Sequence, residues 1–369
     1  MTDPNAVTLS VDGLDYRGWK KVKITAGIER QCRDFSLGVS WQWDAAGEAI
    51  PIKQGAVCEV RIGADLVLTG YVFGLPVDYD AKSITRSVVG RSLTADLVDC
   101  SAVNEPGQWR QQSVQRIVQA LAEPFGRKVR SEVAETAALA DHSIEPGESA
   151  FESIDRLLTL SRLLSTDDAR GEVVIVKPGS GGRAVDRLQV GQNILSARAG
   201  FDFSSVHSEY RCVGQRSGTD DTFGVAASEV SARVTDPRVG RRRVLLIRQN
   251  GQMTPELAQA RVNWERGNRM GKALGVTYRV QGWRQSNGAL WVPNLIVRVV
   301  DPIAGLDRDM LIGEVEYTID EGGTVAALTV APPDAFDPEP EDPHKNRKLK
   351  KGGVSDNFEY LLPADWEKQ

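Results

Sequence analysis

Histidine is scarce in this chain: His142, His207 and His344 are the only three among 369 residues. None has neighbours that spell a triad or a metal site. His207-Ser208-Glu209 lies in a strand pattern, where adjacent side chains point to opposite faces and do not converge. Cysteine is nearly as sparse. Cys32, Cys58, Cys100 and Cys212 are widely scattered, no pair has metal-ligand spacing, and we read them as reduced core residues. HExxH, Walker and GxSxG motifs are absent. The GSGG stretch at 179–182 follows Pro178 and opens no helix, so it reads as a flexible hairpin loop rather than a phosphate cradle. Asp167-Asp168 and Asp220-Asp221 could meet a divalent cation but lack EF-hand spacing. No pair among the 50 acidic residues stands out for glycosidase chemistry. The expectation is no catalytic residue, no cofactor and no metal.

Long apolar runs are missing too: no stretch approaches the roughly 20 residues that cross a bilayer as a helix. The start, MTDPNAVTLSVDGLDYRGW, has no charged region followed by an apolar core, so neither a signal peptide nor membrane insertion is expected, and assembly in a cytoplasm is. Basic surplus is absent as well. A net charge of −5 gives no electrostatic case for gripping nucleic acid, although a protein that merely lets DNA pass would look the same. What remains is ordinary globular composition, 41% hydrophobic and 26% charged, at a length suited to about two to four domains.

Residues 1–100 read as short strands separated by Gly and Asp turns, with a hairpin turning at Gly63 to Asp65 and a bulge at Gly70. Residues 101–184 change character. Val114, Ile117, Val118 and Leu121 have helical spacing with Pro124 at the end, and ESAFESIDRLLTLSRLLS predicts a second amphipathic helix that includes Leu163 and Leu164. We take this region as an α+β insert. A second β region is expected over 185–213 and 275–332, including the strand VHSEYRCVGQ. Between them, 214–274 holds clustered Arg241, Arg242 and Arg243 and a helix over 254–273, with Thr254 as N-cap and Pro255 at the first helical position. The end, 333–369, reads as a mobile tail: five acids at 334–342 precede five bases at 345–351.

The stretch GWRQSNGALWVPNLIVRVVD, 282–301, holds the aromatic residues that invite a functional reading. Asn287-Gly288 suits a tight turn between extended runs, and Pro293 argues for an edge position or a bulge in the second run. Trp283 and Trp291, with Trp109, could stack on a sugar; we favour packing at a corner or subunit contact for Trp109, Trp283, Trp291, Pro293 and Asn294.

Several stretches together resemble one family. ADLVDCSAV followed by PGQWRQQSVQRIVQALAEPFG, then HSEYRCVGQ, the GWRQSNGALWVPNLIV element and the basic KNRKLKKGG stretch occur in the order seen in baseplate hub proteins of Mu-like contractile-tail phages. The resemblance runs from VTLSVDG nearly to the end; 214–250 carries no pattern of the family. It implies a β-rich α+β fold with two barrel-like β domains and α+β inserts, three chains forming a ring, similar to type VI secretion spike proteins in their N-terminal part. It implies a structural virion component at the tail baseplate, partnered by a central spike and by tail-tube or adjacent baseplate proteins, with DNA passing through the lumen. On that reading Arg241 to Arg243 face away from the channel or are paired with acids, since strong phosphate contacts would stall ejection. A tail-associated peptidoglycan hydrolase and a carbohydrate-binding module are the rivals.

Overall fold

Period-2 alternation becomes mostly antiparallel sheet. In Lys21–Gly27, Val22 and Ile24 turn inward while Lys21 and Lys23 stay in water, and the neighbouring strands do the same. A computed structural model describes residues 3–42, 52–79, 81, 83–134, 139–215, 229–252, 254–320 and 323–340. The N-terminal β block comprises Val7–Val11, Leu14–Tyr16, Lys21–Gly27, Asp34–Gln42, Val57–Ile62, Asp65–Gly74, Val77–Tyr79 and Ser83–Ser92. The C-terminal block comprises Leu188–Gln189, Ile194–Ala199, Val276–Gln281, Ile296–Asp301, Leu306–Asp320 and Gly323–Ala331. All belong to one 14-stranded sheet with one apolar core, and among the described residues no barrel closes.

The joint between the blocks is the strand Leu306–Asp320. Its first half pairs with Ile296–Asp301 and its second half with Lys21–Gly27, while Gly323–Ala331 runs along its other edge. The register shifts between Ile312 and Glu314, and the carbonyl of Gly313 at that bulge accepts from the Ile28 amide at 2.9 Å. Only glycine fits there: a Cβ on Gly313 would lie 2.4 Å from the Phe336 ring. Gly70 is no bulge. It lies between Cys58 and Ser92 of flanking strands, and a Cβ would meet the Arg91 carbonyl oxygen at 2.0 Å; the shifts fall at Val60/Arg61 and Val72/Gly74 instead.

The α+β insert has its own core. Val114–Ala122 buries Val114, Ile117, Val118 and Leu121 against Phe151, Ile154, Leu157 and Leu158 of Ala150–Leu160, which opens on a Ser149/Glu152 capping box. That second helix stops earlier than its apolar face suggests. Arg162 takes a left-handed φ of 54°, and Leu164 then enters the strand Leu164–Asp167, its side chain joining a separate cluster with Ile28 and Leu311.

Glu209–Gln215, expected with the C-terminal block, lies elsewhere. It is the middle strand between Glu229–Thr235 and Val244–Gln252, and its inward Tyr210 and Cys212 pack on Ala258 and Val262 of the helix Pro255–Ala273. The alternation was legible, but the partner was a distant helix. Residues 333–340, expected in a mobile tail, are packed as well. Asn268 Nδ2 donates to the Ala335 carbonyl at 2.9 Å, Trp264 Nε1 to the Asp337 carbonyl at 2.8 Å, and Glu339 pairs with Arg261. A Cβ on Gly271 would lie 2.8 Å from the Ala335 amide, so the helix presents glycine where that segment crosses. Residues 341–369 lie outside the described residues.

The insert is fixed to the N-terminal block by a buried ion pair. Arg33 Nε donates to Asp167 Oδ1 at 3.1 Å, its amide to Oδ2 at 3.2 Å, and its other nitrogens to the carbonyls of Val67 and Asp167. Burial pushes the Asp167 carboxyl up, and the Arg33 guanidinium, with Ser92, draws it back. Asp167 is 2% exposed at its side chain against 16% for Arg33, so removing the cation strands a carboxylate with little water. Arg33→Ala is expected to destabilise the chain by about 3–5 kcal/mol, whereas Arg33→Met with Asp167→Leu costs much less. Denaturant melts of the two variants check the order.

Candidate functional site

The 282–294 stretch is the point where the most distant parts of the chain meet. It forms a compact loop: Trp291 N donates to the Trp283 carbonyl at 3.0 Å, and Gly288 N to the Gln285 carbonyl at 2.9 Å. Of the pair expected at the turn only Gly288 takes positive φ, while Asn287 Oδ1 accepts from the Ala289 amide. The run ALWVPNLIVRVV is not one strand. Val292, Pro293 and Asn294 make a second turn, and extended pairing resumes at Ile296. Pro293 therefore sits in a turn rather than in a bulged edge strand, where its missing donor costs nothing.

Residues of the loop reach several distant segments. Trp283 is fully buried; its indole donates to the Val325 carbonyl at 3.0 Å and meets Tyr317 edge to face, 5.8 Å between centroids. Trp291 is 2% exposed and its carbonyl accepts from the Tyr317 hydroxyl. Burial pushes that phenol well above its usual range, so it stays a donor. Arg284 crosses to the N-terminal block, bonding Asp65 Oδ2 at 2.6 Å and the carbonyls of Pro4 and Ile62. Gln285 accepts from the Val185 amide at 2.8 Å.

Asn294 holds the tightest of these joints. It sits at φ 68° and donates its amide to the Ile312 carbonyl, just before the bulge. Its side chain accepts from Gly179 N at 2.7 Å and donates to Ser180 Oγ at 2.9 Å. A Cβ on Gly181 would lie 2.8 Å from the Asn294 carbonyl oxygen. The GSGG stretch is thus the seat of the Asn294 turn, not a free hairpin. Trp109 lies apart from this group, in the insert, stacked on His142 with centroids 6.0 Å apart.

This constellation fastens segments and offers no reaction chemistry. Sugar stacking needs open ring faces, and neither Trp283 nor Trp291 presents one. His142 Nε2 lies 2.9 Å from Ser153 Oγ, a nucleophile-like pair, but Ser153 is fully buried beneath the insert's core and no substrate reaches it. Among the described residues no three His, Cys, Asp or Glu side chains group to hold a metal. Asp220-Asp221 lies outside them. A cleft of about 1110 Å³ runs beside Pro255–Ala273, with Arg162, Lys177 and Arg266 facing Asp236, Asp334 and Asp337. Its wall depends on the segment 334–340, and its mixed charges select no ligand.

Sequence reading missed the Arg33–Asp167 junction and the Asn294 seat. Arg33 gave no signal, since one arginine among 45 basic residues is unremarkable. The glycines at 179–182 did give one, because a conformation or close approach must explain them.

Comparison with known proteins identifies relatives across this architecture. The family model described as Mu phage baseplate assembly protein GpP-like, N-terminal, matches residues 6–92. Baseplate hub protein gp44-like, second domain, matches 94–177, and Mu phage baseplate assembly protein GpP, fourth domain, matches 254–339. The baseplate hub protein gp44 of Escherichia phage Mu is 32% identical, covering 98% of this chain and 96% of that one. The 43 kDa tail protein of prophage MuSo2 from Shewanella oneidensis superposes with a TM-score of 0.82 at 36% identity, over 90% of this chain and 99% of that one. A type VI secretion component of E. coli, itself structurally similar to the T4 tail proteins gp27 and gp5, shares the fold alone: TM-score 0.52, 12% identity, over 88% of this chain and 76% of that one.

Two outcomes check the site. Asn294→Gly keeps the left-handed turn and loses two side-chain bonds, whereas Asn294→Ala loses both, so melts should place alanine about 1 kcal/mol below glycine. Burial pushes the thiols of Cys32 and Cys58 up to about 12, and raises Cys212 as well, while Cys100 is exposed. A thiol reagent at pH 8 should label one cysteine in the native chain, Cys100 by peptide mapping, and four after denaturation.

Proposed function

The chain belongs to the baseplate hub proteins of Mu-like phages, and from that membership we propose that three copies form a ring joining the tail tube to the central spike, with a lumen for DNA. As a baseplate hub protein it is a structural component of the phage virion's tail. Its relatives are structural hub proteins, and we assign this chain no reaction of its own.

The observation that carries the ring is one antiparallel ribbon. In spatial order it runs Val77–Tyr79, Ser83–Ser92, Asp34–Gln42, Lys21–Gly27, then Leu306–Asp320, Gly323–Ala331, Val276–Gln281 and Ile194–Ala199. Each block contributes four of these eight strands. Two like units per chain and three chains give six around an axis, which matches a six-fold tube on one side and a three-fold spike on the other.

The ribbon's two faces differ. One carries Val22, Ile24, Phe35, Leu37, Val315, Tyr317 and Leu328 into the core. The other carries Lys21, Lys23, Glu316, Thr318, Thr329 and Arg279, with Lys23 paired to Glu316 at 2.7 Å. Of the three cations on this face only Lys23 is paired; Lys21 and Arg279 are exposed and make no ion pair among the described residues, so the face is only partly neutralised toward a passing polyanion. Arg241, Arg242 and Arg243 precede Val244–Gln252 in the separate three-stranded sheet, off the ribbon. Arg243 is turned to the Ser204 carbonyl, and Arg242 lies close enough to Glu209 to help lower its carboxyl, after Arg211.

Light scattering on a sizing column tests the ring. The expected mass is three times 40.3 kDa, at low and at moderate salt alike. A dimer, or a stable monomer that binds spike protein one to one, overturns it.

A further inference from the structure

The separate sheet of Glu229–Thr235, Glu209–Gln215 and Val244–Gln252 has two faces of opposite character. One is closed: Tyr210, Cys212, Val230 and Ile247 pack with Ala258 and Val262 of the helix Pro255–Ala273. Period-2 alternation sends the residues between them to the other side. There Arg233, Arg211 and Leu246 stand abreast on the three strands, and Ser231, Val213 and Arg248 form the next outward row. All three arginines are exposed. Leu246 is 63% exposed, so within the described residues the centre of this face is bare.

Charge on this face is unbalanced. Arg211 and Arg233 are direct cross-strand neighbours, and like charges so placed cost stability unless an acid intervenes. Glu209 intervenes, 2.5 Å from Arg211 and 2.7 Å from Arg233. Arg242 lies close to the same carboxylate, and Arg248 makes no ion pair among the described residues. Four cations therefore share one described acid. In a chain of net charge −5 that is a local reversal of sign.

We infer that this face docks an acidic, extended segment of a neighbouring baseplate protein, with carboxylates meeting Arg211, Arg233 and Arg248 and an aliphatic side chain covering Leu246. The inference goes beyond the ring reading and does not need it, since this sheet is separate from the ribbon.

Spacing sets the form of the segment. From Arg233 to Arg248 is two strand spacings across and two residues along, roughly 12 Å between Cα atoms. In an extended chain residues i and i+4 share one face at about 13 Å, with i+2 between them. A helix would bring i and i+4 to within about 6 Å. The pattern that fits is acid, aliphatic, acid at alternate positions. Chemistry favours a peptide over a nucleic acid. Among the described residues no aromatic ring stands on this face for a base to stack on, and a sugar-phosphate chain would set polar atoms against Leu246 and Val213. Guanidinium forks match carboxylates, and Glu209 already holds two of them in that way.

The probe is a fluorescein-labelled peptide, DSETLTESD, titrated with the full-length protein and read by anisotropy. Saturable binding is expected, weakening about tenfold as salt rises from about 50 to about 300 mM. Arg248→Glu should weaken it about tenfold. Leu246→Asp, or the peptide DSETSTESD in place of the first, should weaken it about fivefold. Arg116→Glu, exposed on the insert, should change nothing. Circular dichroism melts should match across the variants, because the substituted side chains are exposed. No binding at millimolar peptide overturns the proposal, as does binding unmoved by both Arg248→Glu and Leu246→Asp. An oligothymidine that binds more tightly than the peptide and is lost with Arg248→Glu reassigns the face to nucleic acid. Peptide binding that appears only with Asp220→Asn and Asp221→Asn gives the face to this chain's own acids and ends the proposal.

Discussion

A single strand shared by two blocks of one sheet is the constraint from which most of the architecture follows. Leu306–Asp320 must pair with the C-terminal block along one edge and give its other edge first to Ile296–Asp301 and then to Lys21–Gly27. The change of partner falls at the bulge between Ile312 and Glu314. Because a side chain there would strike Phe336, the bulge needs Gly313; because the chain must turn sharply to approach it, Asn294 takes a left-handed φ; because Asn294 needs partners, the 179–182 loop is built of glycines. These are successive consequences of one backbone irregularity. Residues more than 100 positions apart are specified together.

Polar groups then decide how the peripheral units attach. Arg33 and Asp167 tie the insert to the N-terminal block, and Arg261, Glu265 and Glu339 tie the 333–340 segment to its helix. Taking two charges from water costs several kcal/mol per ion, which their attraction roughly repays when geometry and hydrogen bonds are good. The net gain is small. What such pairs supply is a large penalty for any other docking, since a misplaced insert would strand Asp167 without a cation. Apolar contacts such as Leu164 against Ile28 and Leu311 supply the attraction, and the ion pair selects one arrangement of it.

How much of this was legible in the sequence follows from the range of each interaction. Strands of the two β blocks showed in their alternation, and Thr254-Pro255 announced its helix correctly, because both signals are local: the Thr254 hydroxyl does accept from the Leu257 amide. The helix end at Leu160 was missed because Leu163 and Leu164 continue the apolar spacing, while the stop comes from Arg162 turning left-handed under tertiary demand. Glu209–Gln215 was assigned to the wrong neighbour because a strand pattern reports which face is apolar and never what covers it. Trp283 and Trp291 were expected to pack at a corner or a subunit contact, and a sequence cannot separate the interior of a subunit from a seam between subunits. Their depth, with the indole of Trp283 spent on Val325, places them inside. The family resemblance was carried by ordered short motifs, and it told more about function than any single residue could.

Continuity of the sheet also bears on the mechanical task of a hub. Two independently folded domains on a linker would swing about it, since interdomain contacts of ordinary size permit motion. Here the blocks share six ladder positions between Lys21–Gly27 and Leu306–Asp320, with Lys23–Glu316 lying across them. The Arg284 clasp adds a second tie, to Asp65 and the Pro4 and Ile62 carbonyls. Two separate ties hold the blocks more firmly than either would alone. The ring proposed above would need that stiffness within each subunit before any contact between subunits could be useful.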